Sequence, residues 1–312
     1  MTDAAADRFA LAGDRPSAVK HIVDVLIEER APRLSTGPAW PLMRPPLYAI
    51  LNHRKALRMA DAIAPIGGRE ALDLISAMLR LNVDTRRAER IPGDGAFLIV
   101  ANHPTGITDG VAAFDVLKQT RSDLLIYANS DAHRVCPRFD EILIPVEWVQ
   151  AKRTRERTRV TLKMTNEAIA AGRPILIFPA GRLARVRNGV LTDPEWMSTG
   201  VSLARKYALP ILPVHVEGPY AFWFHLFDKV SKELRDITLF HELLNKEGKT
   251  YRLTFGPLIP HEHVGGDATS MTRRLKHYVE RVLGGDPDAP FDPSGPECAW
   301  RDPPSAQTFA QG

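Results

Sequence analysis

The sequence predicts an α/β protein: a mainly parallel sheet flanked by helices, with an N-terminal helical region. Three observations carry that prediction. From about residue 86 onward, short apolar runs alternate with helix-length amphipathic segments, as strands joined by crossover helices do. Several of these runs, such as Phe97-Leu98-Ile99-Val100-Ala101, are apolar throughout, which marks strands covered on both faces. Upstream, residues 15–85 show only helical periodicity.

The elements follow in order. Residues 1–14 lack periodicity and read as a flexible N-terminus. From Ser17 to Arg30 the apolar Val19, Ile22, Val23 and Leu26 oppose Lys20, Asp24 and Glu28, an amphipathic helix with Ser17 as its cap. Pro32 to Pro46 reads as a Pro-rich connection, followed by helical periodicity at about 48–63 and 70–81. In the α/β domain, residues 86–283, strands are expected at 96–101, 123–129, 141–146, 174–178, 210–216 and 250–256. Helices are expected between them at about 110–119, 154–171, 194–207 and 220–235. Asp193, Pro194 and Glu195 spell a helix start: a cap, a first-turn proline and a first-turn acid. A last helix is expected from Ala268 to Leu283. From Gly284 to Gly312 the Gly/Asp/Pro-rich chain is expected to be a disordered tail.

Composition narrows the functional classes. The 312 residues are 44% hydrophobic and 25% charged, ordinary globular values, with a net charge of +4. A mild positive balance suits an anionic partner, such as a membrane surface, a lipid headgroup or an acyl-carrier protein. Cys136 and Cys298 stand alone, a buried thiol and a tail thiol, so neither a disulfide framework nor a zinc site is expected. The start lacks the basic and apolar regions of a signal peptide, and no apolar run nears the ~18 residues of a spanning helix. The expectation is a cytoplasmic protein, peripheral at most on the inner face of the cytoplasmic membrane.

Chemistry concentrates where the first strand ends. Ala101-Asn102-His103-Pro104-Thr105-Gly106-Ile107-Thr108-Asp109-Gly110 delivers a histidine to a sheet terminus, turns tightly, and brings back a carboxylate. Ligands of open α/β sheets bind at the carboxyl ends of strands, and a carboxylate-held imidazole is a general base. The spacing alone is unspecific, since His241/Glu247 and His261/Asp267 share it. The structural alternative is a satisfied strand-end imidazole with Asp109 as a helix cap.

The stretch Asn-His-Pro-x-Gly-x-x-Asp-Gly resembles the first motif of the glycerolipid acyltransferases, the family of 1-acylglycerol-3-phosphate acyltransferase. That motif ordinarily has four residues between His and Asp, whereas five intervene here. The longer form resembles the branch labelled hemolysin-like or lyso-ornithine-lipid acyltransferase-like. Ile177-Phe178-Pro179-Ala180-Gly181-Arg182 resembles the Phe-Pro-Glu-Gly-Thr-Arg block, and Pro210-Ile211-Leu212-Pro213-Val214-His215-Val216 resembles the late strand. The resemblance spans roughly residues 90–260.

It implies an O-acyltransferase that moves a fatty acyl group from acyl-CoA or acyl-acyl-carrier protein to a lysolipid hydroxyl, with His103 and Asp109 as the general-base pair. An acyl hydrolase on the same residues, or an inactive lipid-binding protein, are the alternatives. No metal or cofactor beyond the acyl co-substrate is implied. Substrate-contact candidates are Asn102, Thr105 and Gly106, whose loop could support an oxyanion, and Pro179, Gly181, Arg182 and Arg185, whose guanidiniums suit an anionic headgroup. Ala180, Arg182 and Leu183 stand where the family block has Glu, Thr and Arg.

Lys152 and Arg153 open a basic run to Arg159 and are candidates for phosphate contacts. The run lacks interleaved aromatics, so nucleic acid is not expected. Tyr220-Ala221-Phe222-Trp223-Phe224-His225-Leu226-Phe227 reads as core or as an acyl-chain channel, and His215 and His225 read as structural. Trp40, Leu42, Met43, Leu47 and Tyr48 are candidates for interfacial contact with a bilayer.

Overall fold

In the computed structural model, residues 20–147, 154–187 and 189–298 are described. Seven strands form one sheet: β1 (Asn82–Arg86), β2 (Leu98–Ala101), β3 (Leu125–Asn129), β4 (Leu143–Val146), β5 (Ile175–Ile177), β8 (Ile211–Glu217) and β9 (Thr250–Phe255). Between β5 and β8 the chain makes a separate two-stranded hairpin, β6 (Arg185–Arg187) and β7 (Val190–Thr192). The sheet order is β1-β9-β8-β2-β5-β3-β4. Strands β8, β2, β5, β3 and β4 are mutually parallel, β9 is antiparallel to β8, and β1 pairs parallel with β9. Every expected strand is present, with ends within two residues of expectation. β1 had no apolar signature, because its residues are mostly exposed at the sheet edge, so the α/β unit starts at Asn82 rather than residue 86.

The period-two geometry of a strand divides the core. Ile99, Ala101, Leu176, Leu212 and Val214 enter one apolar cluster, while Leu98, Val100, Ile175, Ile177 and Ile211 enter the other. The first face is covered by helices α1 (Ile22–Arg30), α4 (His53–Ile63), α5 (Gly68–Leu79) and α6 (Ile107–Leu117). The second is covered by α8 (Arg155–Ala170), α9 (Thr199–Tyr207) and α13 (Ala268–His277). The N-terminal helical region thus packs as one wall of the sheet.

Several expectations are corrected. Helix α1 starts at Ile22, with the His21 imidazole accepting from the Val23 N–H, and Ser17 lies outside the described residues. Pro32–Pro46 is not a simple connection. It forms α2 (Pro32–Thr36) and most of α3 (Trp40–Ile50), each with a proline in its opening positions, where no intrahelical N–H bond is lost. The helix expected from Pro194 begins only at Thr199, because the Asp193 carboxylate is buried and bonded elsewhere. The segment 220–235 breaks into α10 (Phe222–Asp228) and α11 (Lys232–Ile237), followed by α12 (Leu239–Leu244). The helix from Ala268 to Leu283 turns π-helical at Tyr278–Val282.

Residues 284–298 are not a loose tail. Phe291 is buried, the Tyr278 hydroxyl donates to the Ala289 carbonyl, and Asp288 pairs with Arg87 and Arg90. Those anchors are single residues in a Gly/Asp/Pro-rich stretch, which periodicity does not reveal. Residues 299–312 lie outside the described residues, as do 1–19.

Candidate active site

The site is assembled where β2 ends. Ala101 still pairs with Val214 of β8, and Asn102 extends that ladder with its side chain. Its Nδ2 donates to the Val216 carbonyl at 2.9 Å and its Oδ1 accepts from the Val216 N–H at 2.7 Å. Both polar ends of this buried amide are therefore engaged by β8, so Asn102 ties the loop to the sheet.

His103 follows. Its Nδ1 lies 3.0 Å from Oδ2 of Asp109, with the ring tilted off the line of a straight hydrogen bond. The imidazole keeps 15% of its side-chain surface exposed while Asp109 is fully buried. The Phe178 ring packs against the imidazole, centroids 4.5 Å apart, and the His103 carbonyl accepts from the Ala184 N–H at 2.9 Å. The His103 loop and the block around Phe178–Arg182 thus meet around one ring. With Nδ1 turned to Asp109, Nε2 is the nitrogen left to exchange a proton.

Asp109 has two duties. As the third residue of α6 it accepts from the backbone N–H of Gly106 at 3.0 Å, as a helix-capping acid does. It also accepts from the Thr105 N–H at 2.9 Å and the Thr105 hydroxyl at 2.5 Å, and Thr105 Oγ1 lies 2.8 Å from the Tyr251 hydroxyl of β9. Because the Thr105 proton goes to the carboxylate, Tyr251 is the donor in that last bond. Burial first, then the Asp109 charge, pushes the Tyr251 phenol well above its ordinary pKa, so it stays a donor.

These bonds engage the donors expected to support an oxyanion. The N–H groups of Thr105 and Gly106, and the Thr105 hydroxyl, are all spent on Asp109 and are not free for a reacting carbonyl. Gly106 itself adopts φ 101°, a conformation open essentially to glycine, and a Cβ there would lie 3.1 Å from the Leu183 side chain.

The neighbouring strand β5 supplies the rest. Phe178, Pro179, Ala180 and Gly181 turn the chain at its carboxyl end, where the Gly181 N–H bonds the Phe178 carbonyl at 3.0 Å and Gly181 has φ 59°. Arg182 follows, exposed. Arg185, on the hairpin, is half-buried, and its buried Nε has no hydrogen-bond partner among the described residues. Burial lowers its pKa, the Asp228 charge opposes that, and Arg235, Arg182 and Arg187 lower it further. Guanidiniums from three segments therefore face one region beside β5. Arg235 is offset by Asp228 and Asp236. Lys152 and Arg153 lie outside the described residues.

The structural histidines are accounted for. The His215 imidazole bonds the Val279 carbonyl at 2.8 Å, and burial lowers the pKa of His225, which stacks on Tyr220. Of the aromatic run, Phe224 is core and Phe222 is exposed; of the early segment, Trp40 and Leu47 are buried while Leu42 is 81% exposed. Sequence reasoning missed Tyr251, Phe178 as the imidazole's neighbour, and Asp193. Only the third had a signal, and it pointed to a helix cap.

A model of the acyltransferase family matches residues 82–217, from the start of β1 to the end of β8. The lyso-glycine lipid O-acyltransferase of Phocaeicola vulgatus is 28% identical over 222 residues, 69% of this chain and 77% of that protein. The protein of the same name from Bacteroides thetaiotaomicron is 27% identical over 222 residues, 69% of this chain and 79% of that one. The crystal structure of the 1-acyl-sn-glycerophosphate acyltransferase PlsC of Thermotoga maritima aligns with a TM-score of 0.45 and 15% identity, covering 91% of this chain and 95% of that one.

Proposed function

The chain belongs to the glycerolipid acyltransferase family, and we propose that it transfers a fatty acyl group from acyl-CoA or acyl-acyl-carrier protein to the hydroxyl of a lysolipid with an anionic headgroup. The observation that carries this reading is the imidazole of His103, Nδ1 at 3.0 Å from a buried carboxylate and the ring still partly exposed. In the proposed step the lysolipid hydroxyl gives its proton to Nε2 as its oxygen attacks the thioester carbonyl. The tetrahedral intermediate then collapses, releasing the thiol, which takes the proton back from the imidazolium. Asp109 holds the tautomer and offsets the positive charge that forms. No covalent acyl-enzyme is needed, and no metal or further cofactor enters the step.

The headgroup reading rests on Arg182 and Arg185. Among the described residues Arg182 has no carboxylate partner, and the buried Arg185 Nε is unsatisfied, so an anion there would supply what both lack. The names of the two relatives suggest a carboxylate-bearing lipid, which a guanidinium binds in bidentate fashion.

The donor reading rests on α8. It begins beyond the carboxyl end of β4, three strands or about 14 Å from β2 across the sheet. Arg155, Arg159 and Lys163 line a hollow there, and their charge suits donor phosphates or an acidic carrier protein. No helix among the described residues is long and apolar enough to cross a membrane. Access to a lipid acceptor would come from the exposed Ile107, Phe222, Leu226 and Val230, next to the Leu183–Ala221–Phe224 cluster that abuts Gly106.

Steady-state kinetics with lyso-glycine lipid and palmitoyl-CoA test the headgroup assignment. Arg182→Ala should raise the acceptor KM or lower kcat/KM about ten- to a hundredfold, as loss of one charge-assisted contact of roughly 1.5–3 kcal/mol does, with the donor KM little changed. An equal effect on both substrates would make Arg182 a loop support instead.

A further inference from the structure

The least expected group near the site is Asp193. It sits on the loop between β7 and α9, fully buried, and both of its oxygens lie 3.1 Å from the backbone N–H of His103. The Trp196 indole donates to Oδ2 at 2.9 Å. The Asp193 N–H donates to Oε1 of Glu280 at 2.6 Å, while Oε2 of Glu280 accepts from the Thr192 hydroxyl at 2.7 Å and pairs with buried Lys276 at 3.3 Å. The Cys298 thiol borders the same Glu280 carboxylate at 3.9 Å. Asp193 therefore ties the active-site loop to the π-helical turn carrying Glu280.

A buried carboxylate bearing no catalytic proton needs a reason to be there, because its desolvation is costly. Helix capping is not that reason, since α9 begins only at Thr199. Its acceptors instead face the one backbone amide that decides where β2 releases His103.

Resting on the general-base reading of His103, we propose that Asp193 is a positioning residue for acyl transfer: it holds the His103 backbone N–H and thereby sets the imidazole against Asp109 and the reacting hydroxyl. A displacement of about 1 Å in such a group is enough to cost on the order of a hundredfold in rate. The hold depends on charge. An anionic carboxylate accepts from both His103 and Trp196; once protonated, one of its oxygens becomes a donor and competes with those acceptances.

The groups facing Asp193 are the His103 N–H, beyond which lies Asp109, the Trp196 indole, and Glu280 with Thr192, Lys276 and Cys298 behind it. Burial first, then the Glu280 charge, raises its pKa to about 7, against the lowering effects of the Trp196 bond and of His103.

The test compares wild type, Asp193→Asn and Trp196→Phe with palmitoyl-CoA and lyso-glycine lipid, measuring kcat and each KM from pH 5.5 to 9, with thermal unfolding as a control. Asn is the conservative change: its oxygen at the Oδ2 position keeps an acceptor for Trp196, but it removes the charge and sets an NH2 donor where Oδ1 accepts from the His103 N–H at 3.1 Å. Expected for Asp193→Asn are a kcat about tenfold lower, both KM values within about twofold of wild type, and loss of the ionisation near pH 7 that is expected in the wild-type kcat profile. In Trp196→Phe, with the indole donor gone, that ionisation should move to higher pH.

A folded Asp193→Asn with wild-type kcat and pH profile would overturn the proposal. So would a loss of kcat matched by rises in both KM values and a lower unfolding temperature, the mark of a purely structural residue. If Asn is not tolerated, a wild-type pH profile in Trp196→Phe overturns it equally. His103→Ala is run alongside: if it stays active, the general-base reading fails, whereas failure of the Asp193 variants alone leaves that reading intact.

Discussion

At the scale of single residues, the same carboxylate caps a helix and faces an imidazole. Asp109 accepts from Gly106, Thr105 and the Thr105 hydroxyl, and its Oδ2 is also 3.0 Å from His103 Nδ1. The two duties separate experimentally. Asparagine keeps one acceptor oxygen for the backbone amides but cannot offset an imidazolium charge. Asp109→Asn should therefore lower kcat about a hundredfold or more while costing only about 1 kcal/mol of stability. Unchanged turnover in that variant, measured beside urea unfolding, would reduce Asp109 to a cap. The residue pattern His-Pro-x-Gly-x-x-Asp made this pair legible in the sequence. Nothing in the sequence made Tyr251 legible, because a tyrosine in an apolar strand looks like any core aromatic until the fold places its hydroxyl 2.8 Å from Thr105.

At the scale of elements, strands read well and junctions read poorly, for a physical reason. β2, β3, β5 and β8 are buried runs whose apolar character is local, so composition announces them. β1 is an exposed edge whose strand state depends on pairing with β9 far along the chain. Asp193-Pro194-Glu195 has every local mark of a helix start, but its carboxylate finds better-placed donors in His103 and Trp196, and tertiary bonding overrides local preference. In the same way the Thr105 and Gly106 amides, in the loop expected to support an oxyanion, bond the Asp109 carboxylate.

The loop between β2 and α6 depends on one backbone conformation. Gly106 has φ 101° and no room for a methyl group beside Leu183. Gly106→Ala should cost roughly 1–3 kcal/mol and lower kcat, because strain there moves the amides that orient Asp109. Urea unfolding checks the first effect. Full stability in that variant would mean that the loop relaxes freely.

At the scale of the whole molecule, the His103 imidazole and a set of exposed apolar side chains share one end of the sheet. The carboxyl ends of β2 and β5 converge on His103, and α10 extends outward from the same end with Phe222 57% and Val230 73% exposed. Flotation with anionic liposomes should show binding that weakens at high salt, where charge is screened, and that falls severalfold in Phe222→Ser/Leu226→Ser. Binding unaffected by that pair of changes would move the lipid-facing surface elsewhere, for instance to the exposed Leu42.

All of these readings converge on one group acting as a base on a lysolipid hydroxyl. Transfer of a labelled acyl chain to lyso-glycine lipid, from palmitoyl-CoA and from palmitoyl-acyl-carrier protein, should therefore be compared between wild type and His103→Ala of equal thermal stability. Wild type should transfer from at least one donor, and the variant should be slower by about 10²–10⁴-fold. Wild-type turnover in well-folded His103→Ala would contradict the general-base reading.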